Sequence, residues 1–235
     1  MMSGKMIVAS LLLALGFAAS GFFISSGLVE SRKELRYVSV KGLAERVVKA
    51  DQALWTINFK LVNNELPALY QAIEDAQAKV KQFLLKQGFK ENEISNNPIS
   101  VNDNQSNSYN PQNQNLPRYT ADAGITVSTK RVDMIQTTEE KTGDLVAQGV
   151  VVTSSNAIYR FNGLNDIKPA MLDEATASAH TAAQSFAHHA KAKLGYIRKA
   201  LQGLFTISDA NSTYDSGNAI MKKVRVVTTV EYQLQ

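Results

Sequence analysis

Cysteine is absent from the 235 residues of this chain, and histidine occurs only three times. The absence of cysteine excludes disulfide bonds, cysteine-ligated zinc, iron–sulfur clusters and thiol nucleophiles. The shortage of histidine leaves few side chains for acid–base catalysis or metal ligation near neutral pH. The composition therefore points away from an enzyme before any motif is considered.

The chain also lacks a large excess of positive or negative charge. The chain has 25 Lys and Arg residues against 21 Asp and Glu residues, a formal net charge of +4 at pH 7. A surplus this small and evenly spread does not predict a nucleic-acid partner. Hydrophobic residues make up 44% of the chain and charged residues 20%, a balance that predicts a globular protein with its own core. The length predicts one domain, with room for two lobes.

Motifs of several enzyme classes are also missing. The sequence contains no G-x-S-x-G, H-E-x-x-H, G-x-G-x-x-G or P-loop motif. His180, His188 and His189 fall on one predicted helix, where about 12 Å of helix rise separates His180 from His188. Histidines so placed cannot hold one metal ion without ligands from elsewhere. We therefore predict no catalytic residue, no cofactor and no metal site.

Three clusters of charged residues remain, and each is interpreted as solvent-exposed. Glu139-Glu140 and Asp173-Glu174 are adjacent carboxylates on predicted helices. Lys222-Lys223 with Arg225 forms a basic cluster at the start of a predicted strand. We expect solvated helix faces for the carboxylates. For the basic cluster we expect a solvated sheet edge rather than a phosphate site.

The longest uncharged run lies near the N-terminus. Residues 6–29 carry no charge, and as a helix they would span about 36 Å, enough for a hydrocarbon core about 30 Å thick. We predict an uncleaved membrane anchor with a short linker over residues 1–35. The alternative is a cleaved signal peptide, with Ala18-Ala19-Ser20 or Ser25-Ser26-Gly27 as the small residues at the processing site.

Alternating apolar and polar residues predict strands along the rest of the chain. The clearest case runs over 53–62, where Trp55, Ile57 and Phe59 share one face, so Trp55 is expected in the core. A second clear strand covers 119–128. Further strands are predicted at 37–42, 94–101, 157–163, 204–208 and 222–234. Pro98 predicts a sheet-edge position for the strand at 94–101.

Apolar residues at spacings of three and four predict helices over 66–87, 131–147 and 166–194. The last of these begins at Asp166, with Pro169 in its first turn, and is rich in alanine. Its small side chains permit a close approach, either to the protein's own sheet or to another subunit. Residues 102–116 form a polar, low-complexity stretch that predicts a long loop.

Together these elements predict the fold class. Strands with one apolar and one polar face, mixed with helices, are typical of a largely antiparallel sheet with helices packed on one face. We therefore predict an α+β domain over residues 36–235, preceded by one N-terminal transmembrane helix.

Several continuous segments of the sequence also resemble those of a known protein family. They are residues 38–46 (VSVKGLAER), 49–55 (KADQALW), 159–169 (YRFNGLNDIKP), 200–207 (ALQGLFTI) and 222–234 (KKVRVVTTVEYQL). On these strings the chain resembles the SIMPL domain family over residues 36–235. It is similar to the bacterial subgroup of periplasmic or inner-membrane-anchored proteins. His180 and His188-His189 depart from relatives, which often have arginine and small polar residues there.

The resemblance implies a single-pass protein of the bacterial inner membrane with its α+β domain in the periplasm. It also implies ring- or channel-like homo-oligomers, a loose link to oxidative-stress tolerance, and no established catalytic activity. For the orientation of the domain we give the resemblance more weight than the positive-inside rule. By that rule alone, Arg32, Lys33 and Arg36 would place the domain in the cytoplasm. A periplasmic ligand- or partner-binding module is the alternative function, and an enzyme is the less favoured one.

Overall fold

The computed structural model describes the backbone of residues 4–33, 36–106 and 117–235, and the side chains of residues 12–27, 36–106 and 117–235. The helices are α1 (Gly4–Lys33), α2 (Leu66–Lys86), α3 (Val132–Glu139), α4 (Gly143–Ala147) and α5 (Leu164–His189). The strands are β1 (Tyr37–Lys49), β2 (Gln52–Asn63), β3 (Ile94–Asn96), β4 (Ser100–Asp103), β5 (Tyr119–Thr129), β6 (Val152–Arg160), β7 (Leu194–Gln202), β8 (Thr206–Asp209) and β9 (Met221–Leu234). Most of the loop predicted over 102–116 lies outside the described residues.

The chain divides into two compact units. The first contains residues 1–45, 167–206 and 225–235, and the second contains residues 46–166 and 207–224. The strands form two sheets, where the sequence predicted one. The fold is α+β with antiparallel strand pairs, as predicted.

The second unit is built on a five-stranded sheet in the order β3-β5-β2-β6, with β4 also paired to β5. Trp55 on the central strand β2 lies opposite Val127 of β5 and Ala157 of β6. Trp55, Ile57 and Phe59 are fully buried in one core cluster with apolar residues of α2. The predicted strands at 53–62 and 119–128 and the core position of Trp55 are confirmed.

The predicted edge strand at 94–101 is also confirmed, in two pieces. Residues 94–96 and 100–103 form the short strands β3 and β4, and both pair with β5. Pro98 lies in the break between them. A residue without an N–H cannot continue a ladder, so the strand is interrupted at this point.

The other sheet has four strands in the order β1-β9-β7, with β8 also paired to β9. Every fourth residue along one side of α5 is buried, namely Met171, Ala175, Ala179, Ala183 and Ala187. Ala179 and Ala183 share a core cluster with Val40, Val230 and Tyr232 of the sheet. The alanine stripe therefore packs on the protein's own sheet, which settles the alternative that the sequence left open.

Gly42 is the point on β1 where α5 comes closest. A Cβ atom at Gly42 would overlap the backbone oxygen of Ala175 and would lie 2.6 Å from the backbone nitrogen of Ala179. Gly42→Ala is therefore expected to destabilise the first unit by about 1–3 kcal/mol or more, because helix backbone cannot shift as a side chain can. Thermal unfolding of the full chain measures this loss. Gly143→Ala, at the start of α4, is the control, because outside its own turn no atom lies within 4 Å of the added Cβ. It should leave stability unchanged or raise it by up to about 1 kcal/mol, since alanine favours helix over glycine.

Three helix and strand predictions need correction. The helix predicted over 131–147 is two helices, α3 and α4, which are separated by a turn at residues 140–142. The strand predicted at 157–163 begins earlier, at Val152. The helix predicted to begin at Asp166 begins at Leu164, so Pro169 lies inside α5 rather than in its first turn.

Strand β7 was missed: the sequence predicted helix up to Leu194 and no strand over residues 195–202. The helix ends at His189, and Lys191 adopts a left-handed φ of 53°. Seven of the nine residues of β7 are exposed, so the strand lacks the alternation of buried and exposed residues from which strands are recognised.

The backbone of α1 is helical over 30 residues, in agreement with the predicted helix at the N-terminus. Residues 6–11 and 28–29 of the predicted anchor have side chains outside the described residues. Within the described part of the chain, no helix meets both the length and the hydropathy expected of a membrane span.

Candidate binding site beside strand β6

A polar cavity of about 650 Å³ lies within the second unit. One wall is α3, which contributes Gln136 and Glu139. The floor is residues 155–157 and Tyr159 of β6, and the opposite wall is the connection between β8 and β9. We call this space the β6 cavity.

Strand β6 is the end strand of its sheet, so its outer edge borders this space. The N–H of Tyr159 points outward and donates to the carbonyl of Gly217, with an N···O distance of 2.7 Å. Because main-chain groups alternate along an antiparallel strand, those of Ala157 and Ser155 point the same way. In the described chain these outward groups of Ala157 and Ser155 have no backbone partner.

A short chain of hydrogen bonds runs from the core to the cavity wall. The indole Nε1–H of Trp55 donates to Ser155 Oγ at 2.9 Å, and Ser155 Oγ donates to Glu139 Oε1 at 3.3 Å. Glu139 is half-buried. The expectation of a solvated helix face is therefore wrong for Glu139, because this carboxylate turns back toward β6. Glu140, Asp173 and Glu174 are exposed, as predicted.

Tyr159 is the most enclosed polar side chain of the cavity floor. It is 5% exposed, and its hydroxyl has no hydrogen-bond partner among the residues the structure describes. Burial raises the pKa of the Tyr159 phenol, and the nearby carboxylates of Glu139 and Asp133 raise it further. The phenol therefore stays protonated at neutral pH and can donate a hydrogen bond.

The wall from β8 to β9 is organised around a buried lysine. Lys222 is fully buried, and its ammonium lies 2.6 Å from Asp209 Oδ1 and 2.7 Å from Asp215 Oδ1. The expected solvated sheet edge is thus wrong for Lys222. Lys222 is in phase with the buried Val224 and Val226, and this phase was a signal that the sequence reading missed.

Asp209 is held ionised by its partners. Burial alone would raise the pKa of its carboxyl. Hydrogen bonds from Lys222 and from the hydroxyl and N–H of Ser216 outweigh burial and hold this pKa far below its usual range. The N–H of Gly217 donates to Asp215 Oδ1 at 3.0 Å. Lys222 and the two carboxylates therefore fix the conformation of residues 209–217, including the carbonyl of Gly217 that pairs with β6.

Two of the stretches that carry the family resemblance meet elsewhere in the second unit, at Asp51. Its carboxylate accepts hydrogen bonds from the main-chain N–H groups of Asn162 and Gly163, with distances of 2.8–3.0 Å. Asn162 Nδ2 also donates to Asp51 at 2.9 Å. Asp51 thus orders the chain immediately before α5 begins, which explains why local sequence placed the helix start two residues late.

The three histidines lie on the exposed side of α5, in the first unit. The rings of His180 and Tyr232 meet edge to face with centroids 5.8 Å apart, and the rings of His188 and His189 also meet edge to face, with centroids 5.5 Å apart. Over residues 36–106 and 117–235, the structure brings no three histidine or carboxylate side chains together as potential metal ligands.

The fold and the site define an α+β protein with two antiparallel sheets and a polar cavity at a sheet edge. This chain belongs to the SIMPL family: the family model, described as a protein of unknown function (DUF541), matches residues 38–232. A search of curated proteins finds no match to the chain.

Proposed function

We propose that the chain is a homo-oligomeric envelope protein without enzymatic activity. In this proposal α1 holds it in the bacterial inner membrane, with the SIMPL domain in the periplasm. The observation that carries the oligomer is the exposed edge strand β7. A contribution to oxidative-stress tolerance belongs to the same proposal and rests on the family resemblance alone. It predicts poorer growth of a deletion strain in peroxide.

Strand β7 has the surface of a subunit contact. It ends the strand order β1-β9-β7, so one side of its backbone has no neighbouring strand in the described chain. Tyr196, Ile197 and Leu201 are about half exposed, and Leu204, just beyond the strand, is 89% exposed. Unpaired edges with apolar side chains favour pairing with another chain.

A second copy of this chain is the proposed occupant of the β7 edge. The other end of the same sheet is β1, where Tyr37 and Leu43 are exposed. Pairing β7 of one subunit with β1 of the next joins two different surfaces, so the contact is heterologous and repeats until a ring closes. Strand β9 lies between β1 and β7, so its backbone offers no open edge for a subunit contact.

The proposed anchor is α1. Its 30 residues would extend about 45 Å, and Leu13, Phe17 and Phe23 are exposed, as side chains facing lipid would be. Anchors that all enter one membrane favour a cyclic ring over a dihedral particle, which would send half of them the opposite way. N-terminal sequencing of the purified protein separates an anchor from a cleaved signal, because a mature start between Ser20 and Glu30 identifies a signal.

The detergent-solubilised full-length protein is expected to form a particle of several subunits, measured by light scattering coupled to size exclusion. Ile197→Lys with Leu201→Lys should shift it to smaller species, because two charges would be desolvated at the contact. Tyr70→Lys, at an exposed position on α2, is the control and should keep the particle size. A monomeric wild-type protein, or a ring that the double variant leaves unchanged, contradicts the β7 contact.

A second candidate function is a partner-binding module. The β6 cavity favours it, because the cavity offers unpaired main-chain groups, the carboxylate of Glu139 and the hydroxyl of Tyr159 in one place. This candidate is compatible with the oligomer, since the cavity lies within the second unit and β7 lies within the first.

A further inference from the structure

We propose that the β6 cavity binds an extended peptide segment with basic side chains, which adds to the outer edge of β6. This inference goes beyond the oligomer and does not depend on it. It rests on unpaired main-chain groups, on the charge of the lining and on one unpartnered phenol.

The main-chain argument comes from the edge of β6. Tyr159 already pairs outward with the carbonyl of Gly217, so the chain itself shows that this edge accepts an added segment. The next outward groups, at Ala157 and Ser155, border the cavity and have no backbone partner in the described chain. A strand repeats its outward groups every two residues, about 6.6 Å apart. A peptide of about three extended residues can therefore pair with both positions.

Polar main-chain groups at the edge of a cavity favour a peptide over an apolar ligand. Each amide that binds here replaces water with a directional hydrogen bond, and backbone pairing of this kind is independent of the peptide's side chains. The cavity volume of about 650 Å³ is in the range of sites that enclose small ligands.

The charge of the lining determines which side chains the peptide should carry. Among the residues that the structure describes, Glu139 and Asp209 are the only charged ones that line the cavity, and none of the lining residues is a lysine, arginine or histidine. Asp209 is neutralised by Lys222. Glu139 has no ion-pair partner in the described chain and accepts one long hydrogen bond, from Ser155. A lysine or arginine of the peptide would supply the missing cation.

The hydroxyl of Tyr159 adds a hydrogen-bond donor on the floor of the site. It is protonated and has no hydrogen-bond partner among the described residues, so it can donate to an acceptor that enters the cavity. A carbonyl oxygen of the peptide is such an acceptor. The three features therefore call for one ligand that combines main-chain groups with a basic side chain.

The test uses the full-length protein in detergent and a dye-labelled pentapeptide of alternating threonine and lysine, blocked at both ends. Fluorescence anisotropy should show saturable binding below about 1 mM, that is, a free energy of at least about 4 kcal/mol. The same peptide with glutamate in place of lysine should not bind. Glu139→Gln should weaken binding about tenfold, whereas the matched variant Glu140→Gln, whose side chain does not line the cavity, should not.

Two N-methylated peptides test the strand pairing separately from charge. Methylation of one alternating set of amides should abolish binding, and methylation of the other set should be tolerated, because only one set faces β6. The proposal is overturned if both methylated peptides bind like the parent, if the glutamate peptide binds equally well, or if no peptide saturates. Repeating the titration with the Ile197→Lys and Leu201→Lys double variant should give the same affinity, so failure of the oligomer and failure of this site are distinguishable.

Discussion

Replacing Lys222 with methionine is expected to lower the free energy of unfolding by about 3–5 kcal/mol, although methionine is apolar and the site is fully buried. The loss arises because Asp209, which is 6% exposed, would lose the ammonium group that compensates its charge. Its carboxylate would then either stay ionised without a cation or have to take up a proton. Chemical denaturation followed by circular dichroism measures the change. Lys223→Met is the matched control, since Lys223 is partly exposed, and it should change stability by less than about 0.5 kcal/mol.

The pH dependence of stability should change sign at this site. In the wild type the pKa of Asp209 is lowered on folding, so its contribution is present above the ordinary pKa of aspartate and is lost as the pH falls through the folded value. In Lys222→Met, burial is expected to raise that pKa, so acidification should stabilise the folded state through this group. Asp209→Asn added to Lys222→Met should recover part of the loss at neutral pH. A small loss in Lys222→Met with unchanged pH dependence would contradict the buried cluster.

Trp55→Ala should destabilise the chain by a similar amount, about 3–5 kcal/mol. Trp55 is fully buried in the core of the second unit, so the substitution leaves a cavity and leaves Ser155 without its indole donor. Unfolding followed by circular dichroism measures the loss, because the variant has no tryptophan fluorescence. Tyr70→Ala, an exposed aromatic position on α2, should change stability by less than about 0.5 kcal/mol.

Trp55→Phe separates the two contributions to this loss. Phenylalanine keeps most of the packing but lacks the Nε1–H, so it should cost less than half of the alanine variant. A loss below about 1 kcal/mol in Trp55→Ala would mean that the core of this unit can do without its largest side chain.

The sequence predicted elements whose two faces differ in burial. Strand β2 alternates strictly because one face packs on α2 and the other does not, and period-two alternation records this difference. The alanine stripe of α5 was recognised for the same reason, although local sequence could not say which surface it packs on. Strand β7 was missed because both of its faces are largely exposed, so burial leaves no pattern in its residues.

The candidate site was not predicted, because its parts are remote in the sequence. Ser155 meets Trp55 and Glu139 only after β2, β6 and α3 have packed, and each residue alone looks ordinary for its element. Lys222 is the one residue of the site whose burial the sequence could have indicated, because it is in phase with the buried residues of β9. A lysine usually lies at the surface, which is why a solvated edge was predicted, but a buried ammonium group is stable where carboxylates pair with it. Asp209 and Asp215, which provide that surrounding, belong to a loop without periodicity.

The position of β9 has a consequence for the order in which the protein forms during synthesis. This strand lies between β1 and β7, yet it leaves the ribosome after all the other strands. Until it arrives, β1 and β7 have no strand between them, and α5 has no completed sheet on which to bury its alanines. The five-stranded sheet needs no residue beyond Arg160, so it can form while the nascent chain still lacks β9. Until β9 is synthesised, the nascent chain can therefore aggregate through the unpaired edges of β1 and β7. A chaperone bound to these strands would prevent this.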